Sequence, residues 1–223
     1  MENTKLFKGI IFDGNEKEDY ILELKELEKS ADQIVFEATV LSEGEKLPSF
    51  HYKATITIVN KKMLPEAPKF AHKISGTYQP TDGDVLYKDG SLFHDKYFQG
   101  IEQILDCTDQ QIVLSCKAPE VPLEVQGQFP VRSVNTFFAD IQYQGMLVWV
   151  QKNMDGAKSL PLQTDSATLY KPVPFGKQLF VNVSITESTE VSMVANCTVY
   201  DEEGTVYIET SGAAVTISKQ LVW

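Results

Sequence analysis

Asp140 and Gln144 stand four residues apart in Phe137-Phe138-Ala139-Asp140-Ile141-Gln142-Tyr143-Gln144-Gly145-Met146-Leu147-Val148-Trp149. On a helix that spacing puts both side chains on one face, a turn apart. Asp140 is the sole acidic or basic side chain of residues 136–150, and its neighbours are mostly large and apolar. A carboxyl taken out of water resists ionisation, because desolvation penalises the charged form. It can then hold a proton near neutral pH and deliver it to a leaving oxygen. Gln144 carries an amide donor and an acceptor, enough to orient the carboxyl or to hold a substrate hydroxyl. The spacing also admits a purely structural use, with Asp140 bonded to a loop backbone or placed where its charge favours a helix N-terminus.

Other chemistry is poorly supported. His51, His72 and His94 are scattered and form no H-E-x-x-H pattern. Cys107, Cys116 and Cys197 are odd in number and lack a C-x-x-C pair, so no metal site and no disulfide framework are expected, and a reducing, cytoplasmic setting is. Thirty-one acids against 20 bases give a net charge of −11, a poor surface for a phosphate backbone, so no nucleic-acid partner is expected. With 43% apolar and 23% charged residues the chain suits a folded globule with a proper core. No apolar run is long enough for a membrane span, and Met1-Glu2-Asn3-Thr4-Lys5 does not begin like a secretory signal.

The elements that must hold Asp140 follow from period and punctuation. Asn135 suits an N-cap, and 136–153 contains no proline, which predicts one helix. Its apolar residues wrap round more than one face, so it must be buried. Residues 34–41 alternate as a strand, Ser42-Glu43-Gly44-Glu45 supplies a turn, and Phe50, Tyr52, Ala54, Ile56 and Ile58 line one face of a returning strand. Residues 193–200, 201–204 and 206–217 repeat this shape. Ala38-Thr39-Val40 matches Cys197-Thr198-Val199, and Ala54-Thr55-Ile56-Thr57-Ile58 matches Ala213-Ala214-Val215-Thr216-Ile217, both at an offset of 159. Leu6-Phe7-Lys8 and Phe12 match Leu169-Tyr170-Lys171 and Phe175 at an offset of 163. A structural duplication is expected.

Further strands are expected near 101–107 and 110–117, with a helical segment around Phe98; the proline-interrupted stretch 61–85 reads as a connector. A single buried helix beside long antiparallel strands predicts an α+β hotdog fold, a long sheet curled around a central helix. The helix falls in the second copy, 86–223. At the same offset a first-copy helix would precede Met1, so residues 1–60 are expected to be only the later strands of an incomplete first half in a double-hotdog arrangement.

The Asp140–Gln144 stretch resembles the D-x-x-x-Q motif of polyketide synthase dehydratase domains, and its continuation is especially similar to those of polyunsaturated fatty acid and enediyne-type synthases. Ser91-Leu92-Phe93-His94-Asp95-Lys96-Tyr97-Phe98-Gln99-Gly100-Ile101 resembles their aromatic-His-Gly-Pro-x-Phe-Gln-Gly segment. The resemblance covers roughly residues 5–218 and is strongest over 86–101 and 137–149. It implies a double hotdog that eliminates water from a β-hydroxyacyl thioester to give an enoyl thioester. It places the general acid on Asp140, with Gln144 as its orienting neighbour. Phe93, His94 and Phe98 would shape the mouth of an acyl and pantetheine tunnel, and Phe137, Ile141 and Leu147 an apolar slot. No bound cofactor or metal is implied, since the substrate rides on the phosphopantetheine of an acyl carrier protein. The partners implied are that carrier, other synthase domains or a histidine-bearing hotdog half, with a homodimer as a further arrangement.

Two departures qualify the resemblance. The H-x-x-x-G-x-x-x-x-P segment that carries the base is absent, its place falling upstream of Met1, so the chain alone is expected to be weak or inactive. Asp95-Lys96 replaces the Gly-Pro of the aromatic motif and adds charges beside the substrate path. His94 is the nearest substitute base; His51 and His72 are less suited. The alternative is a non-catalytic hotdog that binds a carrier protein or scaffolds a synthase, with Lys171, Lys177 and Arg132 as a basic patch. A third reading is a stand-alone hotdog thioesterase or hydratase using Asp140 at a dimer interface.

Overall fold

The computed structural model describes residues 1–10, 19–44, 47–128 and 130–221. The first strands are β1 (Glu2–Leu6), β2 (Tyr20–Lys29), β3 (Gln33–Ser42) and β4 (Ser49–Val59). After an irregular stretch come the short β5 (Thr81–Asp82), helix α1 (Asp84–Lys88), β6 (Ile101–Cys107) and β7 (Gln111–Lys117). Helices α2 (Thr136–Ala139) and α3 (Ile141–Asn153) precede β8 (Lys158–Leu169), β9 (Gln178–Ser188), β10 (Ser192–Tyr200) and β11 (Val206–Ser218). Residues 85–87, given no element by their sequence, lie in α1; Phe98 ends a 3-10 turn, Lys96–Phe98.

All the strands join in one antiparallel sheet, in the order β2-β3-β4-β1-β8-β11-β10-β9-β7-β6-β5. Read outward from the β1–β8 junction, the order is β1, β4, β3, β2 on one side and β8, β11, β10, β9 on the other. The duplication is therefore a unit of four strands, repeated about that junction. Its details match: just past β1 the Phe7 N–H donates to His51 O, and just past β8 the Tyr170 N–H donates to Tyr207 O, both at 2.9 Å. The register does not follow one offset, however. Ala38 faces Ala54 in the first hairpin, whereas Ala213 faces Ala195 and Cys197 faces Thr210 in the second. A bulge between Ala195 and Cys197 takes up the difference. Phe12 and Glu45 lie outside the described residues.

Helix α3 rests on β7, β8, β9 and β10, the central-helix arrangement of a hotdog. Nine of its residues are buried, as an all-round apolar sequence requires. The helix seats closely because Gly145 faces the sheet: a Cβ there would lie 3.0 Å from Leu114 Cδ1 and 3.1 Å from Val183 Cγ2. Its polar side chains are paired, Trp149 Nε1–H with Thr108 O at 2.8 Å and Gln142 Oε1 with the Thr210 hydroxyl at 2.9 Å. The expected single helix over 136–153 is interrupted: Asn135 caps α2 through a bond from the Phe138 N–H, and Asp140 forms the junction between α2 and α3.

The first half presents a different surface. Thr164 of β8 bonds the Tyr143 hydroxyl of α3, Thr4 is its register partner on β1, and Leu6 is opposite Tyr52. Tyr52, Ala54, Ile56 and Ile58 thus continue the side of the sheet that α3 covers, together with their cross-strand partners Val40, Ala38, Phe36 and Ile34. Leu22 and Leu24 extend it onto β2 and are 57% and 55% exposed, and Ile58 is 57% exposed. The same side of the sheet is apolar in both halves and enclosed by α3 only in the second.

Replacing Gly145 by leucine is expected to force α3 off β7 and β9 and to cost about 1–3 kcal/mol or more, as overpacking does. A urea titration of the Gly145→Leu variant measures it, and an unchanged midpoint would deny the close seating.

Candidate active site

Asp140 closes α2 and opens α3: its N–H donates to Thr136 O at 3.3 Å and its carbonyl accepts the Gln144 N–H at 3.0 Å. The two side chains emerge on one face, as their spacing requires. Gln144 is fully buried, and its Nε2 donates to Asp140 Oδ2 at 2.9 Å and to Phe98 O at 2.8 Å. Its Oε1 accepts the Tyr87 hydroxyl proton at 2.8 Å. The Tyr87 oxygen in turn accepts the backbone N–H groups of Gly100 and Ile101 at 3.2 and 3.1 Å. Since a peptide N–H can only donate, the whole chain has one direction: peptide to phenol, phenol to amide, amide to carboxylate. Burial pushes the Tyr87 phenol far above its ordinary pKa, so it remains a neutral donor.

The second partner of the carboxylate is His94. Its Nε2 lies 3.1 Å from the same Asp140 Oδ2, and only 11% of its side chain is exposed. The imidazole stacks on Phe93, with ring centres 4.4 Å apart and planes at 19°. Gln99 Nε2 donates to His94 O at 2.9 Å and folds the loop back on itself. The buried Nδ1 has no hydrogen-bond partner among the described residues. An unpaired lone pair costs less than an unpaired N–H, which favours the tautomer with its proton on Nε2, donating to Asp140. Oδ2 then receives two N–H bonds, one from Gln144 and one from His94.

The remaining sequence-selected residues divide. Phe98 and Phe137 meet beside the cluster, ring centres 5.0 Å apart, and Phe93 is 52% exposed at its rim. Ile141 and Leu147 do not line an open slot. Both belong to the buried core, and a side chain at Gly100 would collide with Ile141 Cδ1, so they serve packing. The expectation of a dry carboxylate also needs correction: a third of the Asp140 side chain, 33%, is exposed. Asp95 and Lys96 turn their charges on their own loop, Asp95 Oδ1 capping the following turn through the Lys96 N–H and the Lys96 ammonium lying 4.7 Å from the centre of the Tyr97 ring. Asp95 has ordinary extended backbone angles that do not require glycine. His51 and His72 are engaged elsewhere, with Ser42 and Tyr200.

Tyr87 is the member of this hydrogen-bonded cluster that the sequence does not single out. Its position seven residues before His94, in the stretch that carries the family resemblance, was a usable signal, since a buried tyrosine hydroxyl needs a partner. No group of three or more His, Cys, Asp or Glu side chains suited to a metal occurs among the described residues.

The geometry is that of a hotdog carrying an aspartate at the start of its central helix. The dehydratase domain of a trans-AT polyketide synthase from Brevibacillus brevis matches it with a TM-score of 0.72 at 17% identity, over 98% of this chain and 75% of that one. The dehydratase domain from the CurF module of the curacin polyketide synthase matches with a TM-score of 0.69 at 16% identity, over 98% and 75%. A polyunsaturated fatty acid synthase subunit of Thraustochytrium sp. (strain ATCC 26185 / S-3) is 23% identical over 220 residues, which are 96% of this chain and 8% of that protein. The family model "Polyketide synthase dehydratase N-terminal domain" matches residues 65–221, and the chain belongs to the polyketide synthase dehydratase family.

Replacing Tyr87 by phenylalanine would leave Gln144 Oε1 and two buried peptide N–H groups without a partner. The expected loss is about 1–3 kcal/mol of stability, measured by chemical denaturation. A Tyr87→Phe variant as stable as the original would deny the directed chain.

Proposed function

We propose that this chain is the acid-bearing part of a β-hydroxyacyl-carrier-protein dehydratase in a polyketide or fatty-acid type synthase. The observation that carries the reading is the double N–H donation onto one oxygen of Asp140. When a carboxylic acid gives up its proton, negative charge appears on the carboxylate, and donors already aimed at it lower the cost of that charge. Asp140 Oδ1 protonates the β-hydroxyl as it leaves as water, while Gln144 and His94 hold Oδ2. Phe93 and Phe98 flank the approach of a pantetheine-linked acyl chain presented by an acyl carrier protein. The similarity to part of a polyunsaturated fatty acid synthase supports a place beside other synthase domains.

Proton abstraction α to the thioester carbonyl needs a base on the other side of the substrate. His94 already donates to Asp140, which suits it to holding the acid in place. The histidine-bearing segment of the dehydratase pattern does not occur in these 223 residues. The apolar side of β2–β4, continuous with the one α3 covers, fits a helix-bearing segment or chain that brings this base. No described helix is long and apolar enough to cross a membrane, and the proposed setting is the cytoplasm.

The test is turnover of a β-hydroxyacyl pantetheine thioester, followed by enoyl absorbance, with and without a histidine-bearing hotdog half from the same synthase. Activity is expected only with that half, and Asp140→Asn is expected to lower kcat about 100-fold or more while KM stays within a few-fold. Full activity of the Asp140→Asn variant would remove Asp140 from the acid role, and rapid turnover by the chain alone would contradict the need for a second half.

A further inference from the structure

A second constellation lies in the other half of the sheet. His51 is the extra residue of a bulge in β4, between the Tyr52–Val40 and Phe50–Leu41 pairs, and its ring meets Ser42 and Tyr20, which share the helix side with Val40 and Leu22. His51 is only 2% exposed, and both ring nitrogens are engaged. Nδ1 lies 3.0 Å from the Lys8 carbonyl oxygen, and Nε2 lies 2.9 Å from Ser42 Oγ. A carbonyl can only accept, so the imidazole proton sits on Nδ1. Nε2 then presents its lone pair, and the Ser42 hydroxyl donates to it. The Tyr20 ring meets the imidazole edge-on, with centres 5.1 Å apart, and limits its rotation.

This arrangement has the parts of an activated serine: a hydroxyl bonded to a base whose far nitrogen is fixed by a third group. It faces space. A cavity of about 730 Å³ is lined by Lys8, Asp19, Tyr20, Ser42, Glu43 and His51, a size that suits a small ligand. The half-buried Ser42 is reached from that cavity, while the base behind it is shielded from water.

We infer that Ser42 and His51 form a nucleophilic site that takes small activated acyl groups, esters or thioesters, independently of Asp140. Ser42 Oγ bonds to the acyl carbon as its proton passes to His51 Nε2. The bond from that carbon to the leaving sulfur or oxygen breaks, and the leaving group departs with the proton from Nε2. Water then attacks the acyl-serine, giving one proton to Nε2, which returns it to Ser42 Oγ as the carboxylic acid leaves. The Nδ1–H bond to Lys8 O persists throughout and keeps the tautomer.

The test is reaction of the full chain with a fluorophosphonate, a serine-directed probe, read by intact and peptide mass spectrometry. One adduct per chain on Ser42 is expected, absent in Ser42→Ala and retained in Asp140→Asn, which separates this site from the proposed dehydratase centre. His51→Gln is expected to slow labelling about 100-fold, the scale of a lost general base. Should that variant fail to fold by circular dichroism, an initial burst of one acetyl group per chain from p-nitrophenyl acetate, lost in Ser42→Ala, reads the same dyad. No adduct on the original chain, or equal labelling of Ser42→Ala, would overturn the inference.

Discussion

One carboxylate oxygen organises the helix-bearing half. Asp140 Oδ2 accepts from Gln144 and from His94, and both donors are themselves fixed, the first by Tyr87 and Phe98 and the second by its stack on Phe93. The supports come from α1, the loop before β6, and the start of α3, three segments that meet only when the helix is seated on the sheet. A buried amide with every hydrogen bond satisfied cannot turn over without losing several of them, which costs more than any single bond would suggest. The position of Asp140 is thus a property of the packed core, transmitted through hydrogen bonds that each have a defined direction. That is how a residue one-third exposed can still be held to a single geometry.

The two halves of the sheet show what the helix contributes. They share strand order about the β1–β8 junction, yet Leu22, Leu24 and Ile58 on the first half are open while the corresponding side of the second is enclosed by α3. Apolar area of this kind is costly to leave in water, at roughly 25 cal/mol per Å². The unequal burial fits a first half that a further helix-bearing segment or chain would cover.

Much of this was legible in the residues. Alternation and turn chemistry gave both hairpins, and the buried helix followed from its all-round apolar composition, because burial is written directly into residue type. The duplication was visible, but its register was not: a single offset cannot represent a bulge, and Ala195 rather than Cys197 faces Ala213. The strands β2, β8 and β9 were not singled out; β2 is charged and exposed along its length, so its burial supplies no clear pattern. Asp140 and Gln144 stand out by their spacing together with the resemblance to the D-x-x-x-Q motif, whereas Tyr87 does not, since a hydrogen-bond partner 57 residues away leaves no local signature. Asp140 was expected to be drier than it is, because apolar neighbours in sequence do not fix what stands over a helix terminus. Ser42 and His51 meet only across the β3–β4 hairpin, where register rather than composition brings them together.

The central claim, that Asp140 moves the proton at the β-oxygen, is tested most directly by the reverse reaction in ¹⁸O-labelled water. With the histidine-bearing half present and an enoyl pantetheine thioester as substrate, mass spectrometry should find the heavy oxygen on the β-carbon of the hydroxyacyl product. The label should be almost absent when Asp140 is asparagine and the fold is intact. Undiminished labelling with asparagine at 140 would contradict the claim.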